Sequence, residues 1–158
     1  MVALDPATPV LAWGRLGHRV IADVAEKRLT PKAREAIKAI LPDGESMAGA
    51  STWADENRRR LPKTAPWHYV DVPLDEPAYN PKWSADDSKK GCVVDKIAEF
   101  RLTLKDTTKS LDDRRFALRF LIHLVGDMHM PLHVGDNHKG KSATHKSWIT
   151  CALWLMPT

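Results

Sequence analysis

The sequence predicts an all-α domain, a helical bundle with long loops. Three observations predict it. Apolar residues recur at helical spacing in segment after segment. Capping residues and prolines bound those segments. No stretch makes a convincing sheet, and there is no internal repeat. At 158 residues the chain is one domain or part of one. A hydrophobic fraction of 43% and a charged fraction of 28% suit a soluble globular protein. No apolar run is long enough to span a bilayer, so no membrane partner is expected. The net charge of +4 mildly favours an anionic partner. Six tryptophans point to large side chains lining a core or a cleft.

Residues 1–12, MVALDPATPVLA, read as the remnant of a signal segment, because Val10-Leu11-Ala12 resembles the small-residue end of a secretory cleavage site. A short irregular N-terminus is the alternative. The expected location is secreted or periplasmic. Trp13 to Leu29 forms the first helix, with Val20, Ile21, Val24, Ala25 and Leu29 at helical spacing and His18 near its start. Thr30 caps the second, Pro31 occupies its first turn, and it runs to about Ile40 before Pro42-Asp43-Gly44. A third helix covers Ser46 to Arg60 and contains Trp53-Ala54-Asp55. Arg58-Arg59-Arg60 at its end reads first as a solvated face, and second as a means of holding phosphate. Pro62 and Pro66 bound a loop, Trp67 to Val72 is extended, and residues 73–91 form a long surface loop. Cys92 to about Lys109 is a fourth helix. Asp112 can cap the fifth, which points Phe116, Phe120, Leu121, Leu124 and Met128 inward. Cys92 and Cys151 allow one disulfide, and their state is open.

The fifth helix runs into FLIHLVGDMHMPLHVGDNH, residues 120–138, which holds four of the seven histidines. His123 and Asp127, four apart, lie on one helical face. Pro131 ends the helix and leaves His133 just beyond it. Imidazole nitrogen and carboxylate oxygen are ligands that zinc accepts. With His18, Asp55 and His68 on other segments, the candidate ligand set is His18, Asp55, His68, His123, Asp127 and His133. A bundle can bring such positions to one end of its core. Zinc pairs bridged by a carboxylate suit phosphoester hydrolysis. The sequence has no GxxxxGK[ST] loop, GxGxxG or CxxC pair to suggest another chemistry.

Four motifs carry a resemblance to a known family: Trp13-Gly-Arg-Leu-Gly-His18, Trp53-Ala-Asp55, Trp67-His68-Tyr-Val-Asp71, and His123-Leu-Val-Gly-Asp127 running on to Pro131-Leu-His133. In their order and spacing the chain resembles the S1/P1 nucleases, zinc enzymes related in fold to bacterial zinc phospholipase C. The resemblance implies an all-α fold and a three-zinc site. It implies that Asp55, His68, His123 and Asp127 hold one zinc. Asp127 would bridge to a second, bound also by His18 and by the backbone amine and carbonyl of Trp13. His133 would belong to the third. Asp55, Asp127 and Arg58 are the implied catalytic residues, with Arg58 a cation near the phosphate. Tyr69 and Asp71 match positions near the nucleobase pocket. The implied substrates are single-stranded DNA and RNA, cleaved to 5′-phosphorylated products, and 3′-nucleotides.

The chain also departs from that pattern. Trp13 follows twelve residues, which tie up its amine unless they are cleaved, and Met130 stands where the family has Gln. After Gly140 no Gly-Gly-Asn segment follows, and His145 is followed four residues later by Ile149 rather than Asp. Residues 13–138 therefore read as a partial nuclease domain and 139–158 as a non-family tail, from a frame change or truncation, with two zincs expected at most. The alternatives are a zinc phospholipase C-like phosphodiesterase, an inactive zinc-binding fragment, and a basic helical nucleic-acid-binding module.

Overall fold

Ser110 opens the longest helix of the chain, α6 (Leu111–Met128), by accepting a hydrogen bond from the Asp113 amide at 3.1 Å. The cap is thus Ser110 rather than Asp112. The computed structural model describes residues 13–73, 79–81 and 91–136, and its regular elements are helical apart from one short strand pair, as the all-α expectation requires. Before α6 come α1 (Arg15–Lys27), α2 (Pro31–Ile40), α3 (Met47–Ala50), α4 (Trp53–Glu56), a 3-10 helix (Pro62–His68), β1 (Val72–Pro73) and α5 (Val93–Lys105). After it come α7 (Pro131–Val134) and β2 (Gly135–Asp136). No helix among the described residues is long and apolar enough to cross a membrane.

Helix α6 is the hub, with α1 to α5, α7 and the 3-10 helix all packed on it. Its inward stripe, Ala117, Phe120 and Leu124, is fully buried. Phe120 sits among Phe100 of α5, Phe116, Trp53 and Trp67, with ring centroids 4.7–5.9 Å away. Two of the six tryptophans, Trp53 and Trp67, and all three phenylalanines thus form one wall between α5, α6 and the α4–3-10 segment. A smaller cluster of Ile40, Leu41, Ala50 and Leu118 packs α2 and α3 on the N-terminal half of α6. Arg119 ties the loop before α3 to α6 by a two-pronged bond to Glu45, at 3.1 and 2.7 Å.

Four local readings differ from the sequence expectation. The third helix is two single turns, α3 and α4, broken at Ser51-Thr52. Both hydroxyls turn back onto carbonyls three residues earlier, at 2.8 and 3.2 Å, and compete with the helical ladder. The loop between Pro62 and Pro66 is a 3-10 helix that takes in Trp67 and His68. Pro62 at its first turn needs no amide partner, and the Thr64 hydroxyl bonds the Leu61 carbonyl at 2.7 Å. Helix α5 stops at Lys105, because Asp106 accepts from both the amide and the hydroxyl of Thr108 and closes a turn. The segment from Tyr69 continues into β1, which pairs in parallel with β2, Val72 opposite Gly135. The amide of Val70 also donates to the carbonyl of His133 at 2.8 Å. This stitch joins the stretch after His68 to the stretch after α6. Cys92 is buried at the start of α5, 3.6 Å from the Tyr79 hydroxyl. Residues 1–12 and the tail from 137, with Cys151, lie outside the described residues.

Candidate metal centre

The site is built at the C-terminal end of α6. His123 and Asp127 stand one turn apart on its buried face. Helix α1 brings His18 onto them, with the His18 and His123 rings stacked 4.0 Å apart. The 3-10 helix ends at His68, the turn α4 carries Asp55, and the single turn α7 carries His133. All six positions singled out in the sequence therefore converge on one place.

Asp127 is the centre of the group. One oxygen, Oδ2, lies 2.9 Å from His68 Nδ1 and 3.1 Å from His123 Nε2. The other, Oδ1, lies 3.3 Å from His18 Nε2 and 3.6 Å from His133 Nε2. Asp55 is half-exposed and reaches His123 Nε2 at 3.7 Å. His18, His68, His123 and Asp127 are all buried.

Two features outside the expected set hold this geometry. The carbonyl of Ser51 accepts a hydrogen bond from His123 Nδ1 at 2.7 Å. A carbonyl cannot donate, so Nδ1 carries a proton, and whenever the ring is neutral its Nε2 lone pair faces the cluster. The break at Ser51-Thr52 thus brings a backbone carbonyl onto the His123 ring. Gly126 is the second feature. A methyl group there would stand 2.8 Å from His18 Nδ1, so only glycine lets α1 press its histidine against α6. A glycine inside a strong helical stripe, next to Asp127, was the available signal for it. No sequence signal marks a backbone carbonyl such as that of Ser51.

The protonation pattern follows from the crowding. Burial pushes the carboxyl of Asp127 up, but hydrogen bonds from His123, His18 and His68 outweigh it and hold the group far below the usual carboxylate range. Burial pulls His123 down, yet its bond to Asp127 and the charges of Asp127 and Asp55 leave it raised overall. His133 is lowered, chiefly by burial and against the pull of Asp127.

The donor set fits a divalent cation. His68 Nδ1 and His123 Nε2 lie 3.1 Å apart beside the same carboxylate oxygen. A tetrahedral zinc with bonds of about 2.0–2.1 Å places its ligand atoms about 3.3 Å apart. The three separations in this triangle, 2.9, 3.1 and 3.1 Å, are close to that edge. Among the described residues, two groups of three could hold a metal ion: His18, His123 and Asp127, and Asp55, His68 and His123. His18 and His68 turn Nε2 and Nδ1, respectively, toward Asp127, while their other ring nitrogens, His18 Nδ1 and His68 Nε2, are buried with no hydrogen-bond partner.

The remaining predicted positions sit around this centre. Trp13 lies just before α1 with its ring against Gly17, the residue preceding His18. Arg58 is exposed three residues after Asp55. Tyr69 is half-buried and Asp71 exposed on the extended stretch after His68, where the Tyr69 carbonyl accepts from the amide of Val93 at 3.2 Å. A separate surface depression of about 340 Å³, between the end of α1, α2 and the Pro42–Ser46 loop, contains none of the candidate ligands.

Residues 13–149 match the S1/P1 nuclease family. The chain belongs to this family. It is similar to Nuclease P1 of Penicillium citrinum, with 34% identity over 128 residues, 77% of this chain and 47% of that protein. It is similar to Endonuclease 2 of Arabidopsis thaliana, with 31% identity over 157 residues, 93% of this chain and 54% of that protein. Nuclease S1 of Aspergillus oryzae is 27% identical over 143 residues, 84% of this chain and 50% of that protein. The chain spans about half the length of these S1/P1 relatives.

Proposed function

We propose that this S1/P1 family chain is a zinc-dependent phosphodiesterase that hydrolyses single-stranded DNA and RNA to 5′-phosphorylated products, and 3′-nucleotides as smaller substrates. The observation that carries the reading is Asp127, a buried carboxylate with imidazoles against both of its oxygens. A lone structural Asp–His pair needs one imidazole.

In this reading Asp55, His68, His123 and Asp127 would hold one zinc, and a second would be held by Asp127, His18 and, when its amine is free, the backbone of Trp13. His133, on the Oδ1 side of Asp127, belongs to a third position. Zinc bound there supplies an acidified water and positive charge at the phosphoryl oxygens. The chain's own residues do the rest. Asp127 sets the spacing of the two positions. The Ser51 carbonyl fixes the His123 ring. Asp55 closes the cluster on its open side, where substrate arrives. Arg58, three residues on in the turn after α4, offers a guanidinium to a phosphate. Tyr69 and Asp71 lie beside His68, where a base can stack on the ring and be read by the carboxylate.

The test is hydrolysis of a single-stranded oligonucleotide together with the zinc content of the same sample. Activity should fall on chelation, return with zinc, and be lost in Asp127→Asn along with bound zinc. Hydrolysis that survives both treatments would show that the site does not carry the reaction. Asp127→Asn that unfolds more readily yet keeps its zinc would reduce Asp127 to a structural ion-pair partner.

A further inference from the structure

The turn between the two ligand-bearing elements α4 and the 3-10 helix carries Arg58, Arg59 and Arg60, and the first turn of the 3-10 helix adds Lys63, all four exposed. Among the described residues none of the four makes an ion pair. The acid closest to them in sequence, Glu56, is already neutralised by Arg15 at 2.6 Å. Surface arginines usually find carboxylates; here three in a row are left with a clear net charge. Topology fixes where that charge stands. The run starts three residues after Asp55. Leu61 anchors its middle by packing on the core, and the run re-enters the fold through the 3-10 helix that ends at His68. Lys63 is five residues before His68, about 10 Å along a helix that rises ~2 Å per residue. Both ends of the run thus join elements that carry candidate ligands, Asp55 at one end and His68 at the other.

We propose that Arg59, Arg60 and Lys63 form a track for the phosphates of a nucleic-acid strand beyond the one at the metal centre, so that the protein favours polynucleotides over dinucleotides. This rests on the nuclease reading and adds a substrate length to it. The track is sequence-blind, because guanidinium and ammonium groups on phosphate carry no base information. Its mark is salt dependence. Each phosphate neutralised on a single strand contributes about −0.7 to the slope of log K against log salt.

The full chain is tested with zinc bound, against a dinucleotide and a twelve-nucleotide oligothymidylate, in the triple variant R59Q/R60Q/K63Q. A second triple variant, K32Q/K38Q/K109Q, removes the same charge from exposed positions on α2 and the turn before α6, away from the site. The track variant should raise KM for the long strand about tenfold at low salt and flatten its salt slope by about 2, three contacts at ~0.7 each. Dinucleotide kcat/KM should stay within about twofold, and the remote variant should change neither slope nor preference. Equal losses on both substrates, or equal flattening in the remote variant, would overturn the track. If the wild type hydrolyses neither substrate, the nuclease reading fails. Anisotropy of the labelled long strand then decides the track alone: a slope flatter by about 2 in the track variant supports it, and identical slopes overturn it.

Discussion

Asp127 and Gly126 are neighbours with opposite contributions, one a charge and the other an absence of side chain. Gly126→Ala would drive a methyl group to 2.8 Å from the His18 ring nitrogen. The misfit should cost about 1–3 kcal/mol of stability. Displacement of His18 should weaken zinc binding about 10–100-fold, the usual effect of disturbing what orients a ligand. Zinc titration of the variant checks this; unchanged affinity would show that α1 gives way without consequence. The charges set a second expectation, for protein stripped of metal. His123 is raised, so its pairing with Asp127 stabilises fully below the ordinary histidine value of about 6.5 and is lost as pH rises through the raised value. Asp127 is depressed, so its contribution is present above about 3.9 and is lost as pH falls below that. His133 is lowered and acts in the reverse sense to His123, but it is partly exposed and weaker. Metal-free protein should therefore resist urea better at pH 5.5 than at pH 8.5, and Asp127→Asn should remove the difference. Zinc affinity should run the other way, rising with pH, because the ligands must lose their protons.

At the scale of elements, α6 decides the fold and the site together. Its cap is worth a direct check: Ser110→Ala should cost about 1 kcal/mol, seen as a lower urea midpoint with an unchanged slope. Phe120→Ala, at the centre of the aromatic wall, should cost about 3–5 kcal/mol. The existence of α1, α2, α5 and α6 was legible from helical spacing, and Thr30-Pro31 fixed the start of α2. The breaks were harder to read. Ser46 to Arg60 has the composition of one helix, and only the local hydroxyl bonds of Ser51 and Thr52 divide it. Trp67 and His68 look extended from their aromatic and β-prone neighbours, yet the preceding prolines and the Thr64 bond hold them in a tight helix. The candidate ligands could be read because four-residue spacing and short motifs expose side-chain chemistry. The Ser51 carbonyl and the Val70–His133 stitch could not, because they are backbone contacts between segments far apart in sequence.

For the whole molecule, the metal centre is the point where separate segments meet: α1, the α3–α4 break, the end of the 3-10 helix, α6 and α7. A cation there would tie together segments whose histidines crowd one buried carboxylate. Zinc should therefore stabilise the folded state by mass action, about 2.7 kcal/mol when free zinc is a hundredfold above Kd. The central claim is that Asp127 joins two metal positions on which hydrolysis depends. The most direct measurement titrates zinc into stripped wild-type and Asp127→Asn protein, following bound zinc per chain and cleavage of single-stranded DNA in the same samples. The wild type should bind two zincs or more and gain activity as they load, while the variant holds fewer and stays inactive. A variant that binds the same number of zincs and cleaves at the wild-type rate would contradict the account.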